Sequence, residues 1–534
     1  MSNPSSPSPL TPEDSVTDDI RRKFAAVAAA TDTPAPPDEP RLLSVNLCQP
    51  ISALARTVGF ILHPAPLFRF GESLSTVDES GRIAGMTAER FTSWVENYLA
   101  FTKPMKDTAV MESIGKELAA KIMASDQFRD QIRELKGVAE VRLPIWTGEG
   151  ESRTVELAPE GFDPGTGIFT VPRFKYADDM TAEAAWAVLW DALHEFPFDP
   201  EGESEVKRRR SFSAQIAVMV GSYCHLLFTE GTPRPMIIYN ANQSGSGKSQ
   251  LMRMALAPVH GPPAENGKPE NESELEKVLD TAALARKPFL VLDDCRSIHS
   301  QALNRFVTSP IHETRLMHSQ KMATVAKITQ ILATGNSLVI SEDLNRRALV
   351  IDLFEAGEAA NRSFKREITT AWLFSTEIRA GFLGALWALV RRWRDAGSPL
   401  MKEFRRGSFE EWSGLIGGMV IAFGLSNPFS PRQAETGGDE AGKALTLVIG
   451  ALVGESSLDA PPLLTTGDIL DRAEALGLVE VIVGFLDAKS DPRKKIGHRL
   501  KKLKGRHLVD SQRRSFEFGR REMAAGAKYP IRFL

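Results

Sequence analysis

The sequence predicts an α/β protein centred on a parallel sheet, with an α+β domain before it and a winged helix after it. Three observations predict this. From Arg234 onward the pattern alternates strand, loop and helix, as parallel sheets require. A glycine-rich loop, Ser244-Gly245-Ser246-Gly247-Lys248-Ser249, joins an apolar strand to a helix. Residues 489–534 carry 15 Lys+Arg against 4 Asp+Glu in a helix-then-hairpin pattern. That end has a net charge of +11, so the overall −3 leaves −14 on the remainder, a basic appendage on an acidic body.

The elements follow in order. Residues 1–41 are rich in Ser, Pro, Asp and Thr and cannot bury enough apolar surface to offset ordering, so they read as a disordered tail. Residues 42–205 read as the α+β domain. Within it LFRFGESLSTV and SGRIAG are two strands and a turn. Residues 86–101 form a helix with Thr87 as N-cap and Glu89 in its first turn. Residues 109–137 form a second helical stretch, and Thr181–His194 a third, with Trp186 and Trp190 spaced as core residues. The KRRR run at 207–210 reads as the solvated start of an apolar helix. Residues 206–375 form the parallel α/β core, 376–460 a helical region packed on it, and 461–534 the winged helix-turn-helix.

Composition excludes several classes. With 42% hydrophobic and 25% charged residues the chain is neither fibrous nor fully disordered. The three cysteines, Cys48, Cys224 and Cys295, lie far apart, which excludes a disulfide framework and a zinc ribbon and suits a reducing cytoplasm. The longest apolar run, Gly414–Leu425, is shorter than the ~18–20 residues of a membrane span. The N-terminus has acids and prolines in place of a signal peptide's apolar stretch.

The chemistry concentrates between 236 and 353. Glycines in SGSGKS let backbone N–H groups close round a phosphate; Lys248 neutralises its β/γ oxygens, Ser249 ligates Mg2+, and the helix N-terminus adds a favourable dipole. Asn242 stands where the full pattern has glycine, and asparagine tolerates left-handed backbone. A second apolar strand, Phe289–Leu292, ends in Asp293, assigned to the metal, and Asp294, assigned to water activation. A third, KITQILATGN, ends at Asn336, whose amide orients the attacking water. Arg346 and Arg347 follow; a guanidinium fork suits γ-phosphate charge in the transition state and is often supplied in trans.

These elements in this order resemble the superfamily 3-type AAA+ helicases. They are closest to the primase-helicase ATPases of phages, plasmids and integrated elements. The resemblance rests on GFDPGTGIF, the GSGKS loop, VLDD, the stretch from Thr308 to Leu353, and the basic C-terminus. It implies an AAA+ P-loop ATPase core that uses ATP and Mg2+. It also implies a hairpin over Arg315–Val325, turning at His318–Lys321, whose Lys321 or His318 grips single-stranded DNA; Arg315 is alternatively an intersubunit arginine finger. No primase domain is visible, so a separate primase is an expected partner.

At the C-terminus Ile496, Leu500 and Leu503 form one apolar stripe, and Lys494, Lys495, Arg499, Lys501 and Lys502 cover much of the rest of that helix. A strand–turn–strand follows with Arg513 and Arg514 at the turn. Helix then basic hairpin is a winged-helix pattern for double-stranded DNA. The leading expectation is an ATP-dependent DNA helicase or translocase for replication of a mobile element, assembled as a homo-hexamer. An ATP-dependent initiator or helicase loader is an alternative, separated from the first by the Lys321 hairpin. A non-catalytic nucleotide-dependent regulator is a third, and it has no need of a water-polarising acid at 294.

Overall fold

The computed structural model describes residues 42–105, 109–200, 203–269, 271–315, 322–355, 367–403, 407–432, 440–454, 462–483, 491–503, 507–509, 515–519 and 528–533. The expected tail, 1–41, lies outside them. Two compact units result: residues 42–76 with 83–134, and residues 77–82 with the chain from 135 onward.

In the first unit Thr87 caps a helix over Ala88–Val95, its hydroxyl accepting from the Arg90 amide. The helix stops short of the expected Phe101. Leu99–Pro104 pairs in parallel with Leu43–Asn46 instead, and this strand buries Leu99 and Phe101 on one face. Val58, Leu67, Phe91 and Phe128 complete the core. The expected 42–205 domain divides at Glu134, because Val141, Leu143, Leu189 and Phe198 pack into the core of the second unit.

The second unit begins with small strand pairs, antiparallel except that Gly137–Ala139 and Ile168–Thr170 run parallel, and then helix α1 (Ala182–Leu193), where Trp186 and Trp190 stack at 5.4 Å and pack against Phe212. Helix α2 (Arg210–Tyr223) is buried along its whole length. The solvated reading of the run before it holds for Lys207 and Arg208, which are exposed, and fails for Arg209 and Arg210. Arg209 donates to the carbonyls of Phe198, Glu203 and Ser204, and Arg210 donates to the Val350 carbonyl and to Asp352. A buried carboxylate requires such partners.

The centre is a five-stranded, wholly parallel sheet. Its elements are β1 (Met236–Ala241), α3 (Lys248–His260), β2 (Glu265–Gly267), α4 (Glu272–Leu284), β3 (Phe289–Ile298), α5 (Gln301–Thr308), hairpin β4 (Ile311–Arg315) and β5 (Met322–Ala326), β6 (Gln330–Ile340), α6 (Glu342–Arg346) and β7 (Ala348–Leu353). The order is β2-β3-β6-β1-β7, so β6 lies between the strand that feeds the glycine loop and the strand that carries the acids. The near-continuous apolar runs of β1 and β7 are what a sheet covered on both faces demands.

Helices α7 (Thr376–Asp395) and α8 (Glu410–Ala422) share a core with α1 and α2. Helix α9 (Glu440–Gly454) does not join them. Its Leu445, Val448 and Ile449 pack with Val339 and the C-terminal elements, so the expected 376–460 region divides before α9. Those elements are β8 (Leu463–Thr465), α10 (Thr466–Ala475), α11 (Val479–Val483), α12 (Pro492–Leu503), β9 (His507–Val509), β10 (Ser515–Phe518) and β11 (Lys528–Phe533), with sheet order β8-β11-β10-β9. Three helices precede the β9–β10 hairpin as expected, and β11 extends the sheet back to β8. Thr465 caps α10 in a reciprocal box with Asp468. Among the described residues no helix is long and apolar enough to cross a membrane.

Beneath the sheet the His225 and His260 rings lie 5.5 Å apart. Burial pulls His225 down from 6.5 to about 4 and His260 well below its ordinary value. Between those limits the unfolded chain binds protons that the folded chain refuses, so stability rises with pH. The urea midpoint should fall as pH is lowered from about 6.5 to about 4, and His260→Leu should flatten that dependence. Identical pH slopes for parent and variant would contradict it.

Candidate functional site

The loop after β1 owes its shape to two glycines. Gly245 (φ 80°) and Gly247 (φ 94°) are left-handed, and a Cβ on Gly247 would lie 2.7 Å from the Phe196 ring. Ser244 and Gly245 are exposed, while the Ser246 hydroxyl is turned inward and donates to the Gln243 carbonyl at 2.7 Å. Helix α3 starts at Lys248, with its first N–H groups directed at the loop's mouth.

Asn242 does not take the left-handed backbone expected of it. Its side chain bridges instead. Nδ2 donates to the Glu355 carbonyl at 2.7 Å, and Oδ1 accepts from the Glu355 amide at 2.9 Å. With Gln243 Nε2 on the same carbonyl, at 3.1 Å, the loop is tied to the chain leaving β7. Glycine has no side chain to make this tie.

Lys248 is 9% exposed, and its Nζ donates to Asn336 Oδ1 at 2.7 Å. Burial lowers its pKa, and the charges of Asp294 and Asp293 oppose that shift. The two acids do not end their strand, nor does Asn336 end its own; β3 runs on to Ile298 and β6 to Ile340. Between the pairs Leu292↔Ala333 and Cys295↔Gly335 the register slips, so Asp293 and Asp294 together face Thr334, a β-bulge. Thr334 serves both. Its hydroxyl donates to Asp293 Oδ1 at 2.5 Å and accepts from the Asp294 amide at 3.1 Å. Asp294 takes φ 50°, uncommon for a residue with a side chain. Gly335 makes this close approach feasible, since a Cβ there would lie 2.3 Å from the Cys295 carbonyl oxygen. Sequence reasoning missed Thr334, because a threonine in a strand reads as ordinary β filler.

Ser249 Oγ lies 3.4 Å from Asp293 Oδ1. Adjacent ligands of octahedral Mg2+ sit about 3.0 Å apart at bonds of about 2.1 Å, so this pair fits two neighbouring positions after a small movement. No group of three or more His, Cys, Asp or Glu suited to a metal exists among the described residues. An ion here would therefore draw its other ligands from phosphate and water, as Mg2+ commonly does.

Lys248, Ser249, Asp293, Asp294 and Asn336 thus converge; the expected arginines do not. Arg346 pairs with Asp343 at 2.5 Å and is exposed, and Arg347 donates to Asn304 Oδ1 at 2.7 Å. Both precede β7, level with the start of β1, a strand length of about 20 Å from the loop of the same chain. Arg315 is exposed at the end of β4, opposite Met322. His318 and Lys321, at the expected hairpin tip, lie outside the described residues, as do Arg513 and Arg514. On α12 Lys494 is exposed and Lys495 and Arg499 are half-buried, while the side chains of Lys501 and Lys502 are outside the described set.

Asn242→Ala should lower the unfolding free energy by about 1–2 kcal/mol through loss of the two Glu355 bonds, read by urea denaturation. Unchanged stability would show that the bridge does not constrain the loop.

No protein-family model matches the chain, and no curated protein matches it significantly. Among solved structures it is similar to the C-terminal region of NrS-1 in its apo A form, at 11% sequence identity and a TM-score of 0.33, over 87% of this chain and 96% of that one. The functional reading rests on the geometry of the site.

Proposed function

We propose that the chain is an ATP-dependent DNA motor of the AAA+ type, a helicase or translocase serving replication of a mobile genetic element. The observation that carries this reading is the convergence of Lys248, Asn336 and the Asp293–Asp294 pair at one mouth of the parallel sheet. A binding-only loop needs the lysine and the glycines but has no use for a second acid set at φ 50°.

The residues divide the work. Backbone N–H groups of 244–249 and the start of α3 hold the phosphates of ATP. Lys248 keeps one donor on Asn336 and turns the others to the β/γ oxygens. Ser249 and Asp293 would hold Mg2+, which when bound would neutralise phosphate charge. Asp294 accepts a proton from the attacking water, and the Asn336 amide orients that water. Arg347 or Arg346 reaches the γ-phosphate of a neighbouring subunit, which requires a ring, most simply a hexamer. Lys321 and His318 track single-stranded DNA, and α12 with the following hairpin engages duplex DNA.

Lys248→Ala should lower phosphate release by about 100-fold or more, and Asp294→Asn by a similar factor while ATP affinity stays within about threefold. The readouts are steady-state phosphate release and binding of a fluorescent ATP analogue. Parental turnover in Asp294→Asn would remove that acid from catalysis. Arg347→Ala should also be inactive alone. Mixed with Lys248→Ala it should regain turnover, since each Lys248→Ala subunit then lends its arginine to a neighbour with an intact loop. Failure of mixed rings to recover, in proteins that co-assemble by light scattering, would exclude Arg347 as the residue acting in trans.

A further inference from the structure

A second cavity opens at the opposite edge of the same sheet. It encloses about 430 Å³ and is lined by Arg234, Pro288 and Ile328, which lie within two residues of the starts of β1, β3 and β6. The length of β1 sets it about 20 Å from Lys248. Four cations line it, Lys136, Arg153, Arg234 and Arg286, against one carboxylate, Glu230. Glu230 is already engaged, pairing with Arg286 and lying 3.5 Å from Lys136 Nζ.

The arginines are under-used. Arg234 is 7% exposed, and one of its Nη atoms donates to the His225 carbonyl at 3.3 Å. Its Nε is buried without a hydrogen-bond partner among the described residues, and so is the Nε of Arg286. A buried donor left unpaired is costly. Arg286 also has φ 49°, at the position after the α4 C-cap where glycine is usual. Glycine would relieve that strain but would remove a guanidinium from the cavity. Arg153 is exposed and lies over the Trp146 ring, 4.1 Å from its centroid.

The rim comes from the GFDPGTG turn, which the site at Lys248 does not use. There the Asp163 carboxylate accepts from the Thr166 amide and hydroxyl at 2.8 and 2.7 Å and sets Gly165 and Thr166 at the cavity's edge. Ile168 and Phe228 add apolar wall. Excess positive charge, with four cations against the one engaged carboxylate, and a guanidinium beside apolar surface together suit a phosphate carried on a flat base.

We propose that this cavity is a second nucleotide site, which takes a nucleoside monophosphate, free or at the end of a DNA strand, with Arg234 and Arg286 on the phosphate and Arg153 stacked on the base. It does not depend on the reading of the Lys248 site. The test uses the full chain carrying Lys248→Ala, titrated in a calorimeter with dAMP and, separately, with a 5′-phosphorylated oligothymidylate. Binding should weaken by about tenfold or more when Arg153→Gln or Arg286→Gln is added, as loss of a charge-assisted contact predicts. Oligonucleotide binding that is tighter than dAMP binding and is lost both in Arg153→Gln and on omitting the 5′-phosphate would identify a strand end as the source, and equal or tighter binding of dAMP a free nucleotide. Absence of binding by both probes, or affinities unchanged in Arg153→Gln, would overturn the proposal. Arg153 is exposed, so its variant keeps the test decisive if Arg286→Gln fails to fold.

Discussion

Lys248 is a largely buried side chain at the mouth of this sheet, and its ammonium must be given acceptors and countercharge. Asn336 gives it a direct acceptor, and the two aspartates supply the charge that offsets its desolvation. Both arrive because β6 lies between β1 and β3. In another strand order Asn336 would not face Lys248, and the acids would lack the hydroxyl they share.

That hydroxyl shows how little separates a strand from a site. The first of two slips in register between β3 and β6 places two acids opposite one threonine. Thr334 is 1% exposed, so its hydroxyl has no solvent to satisfy it and must serve the bulge. Asn242 plays a comparable part on the other flank, where an amide replaces a missing glycine by fastening the loop to β7.

The same strand β7 anchors the surrounding helices through Asp352. Its carboxylate accepts from Arg210, Asn240 and Arg432, at 3.1, 3.0 and 2.8 Å. Burial alone would raise its pKa, but Arg432 and Arg210 outweigh that and hold it below its ordinary value. A fully satisfied buried network of this kind specifies one arrangement more than it adds stability. Here it joins β1, β7, the start of α2 and the segment after α8, and so holds the strand beside the glycine loop in place.

Read alone, the sequence determined the glycine loop between strand and helix, the parallel strands, and the polar residues Lys248, Ser249, Asp293, Asp294 and Asn336 that border them. Each is local: an apolar run, glycines that free the backbone, and a polar residue at the run's edge. It also determined the stripe of α12, where Ile496, Leu500 and Leu503 are buried. Tertiary structure alone decided which strands are neighbours, that the acids sit in a bulge on Thr334, that Asn242 is a tie, that Arg210 is buried, and that Arg346 and Arg347 face away from their own loop. Those facts depend on partners distant in sequence: Asp293 meets Thr334, and Arg210 meets Asp352, only after the strands pair. Periodicity and spacing describe a residue's neighbours along the chain, whereas burial and charge are settled by neighbours across it.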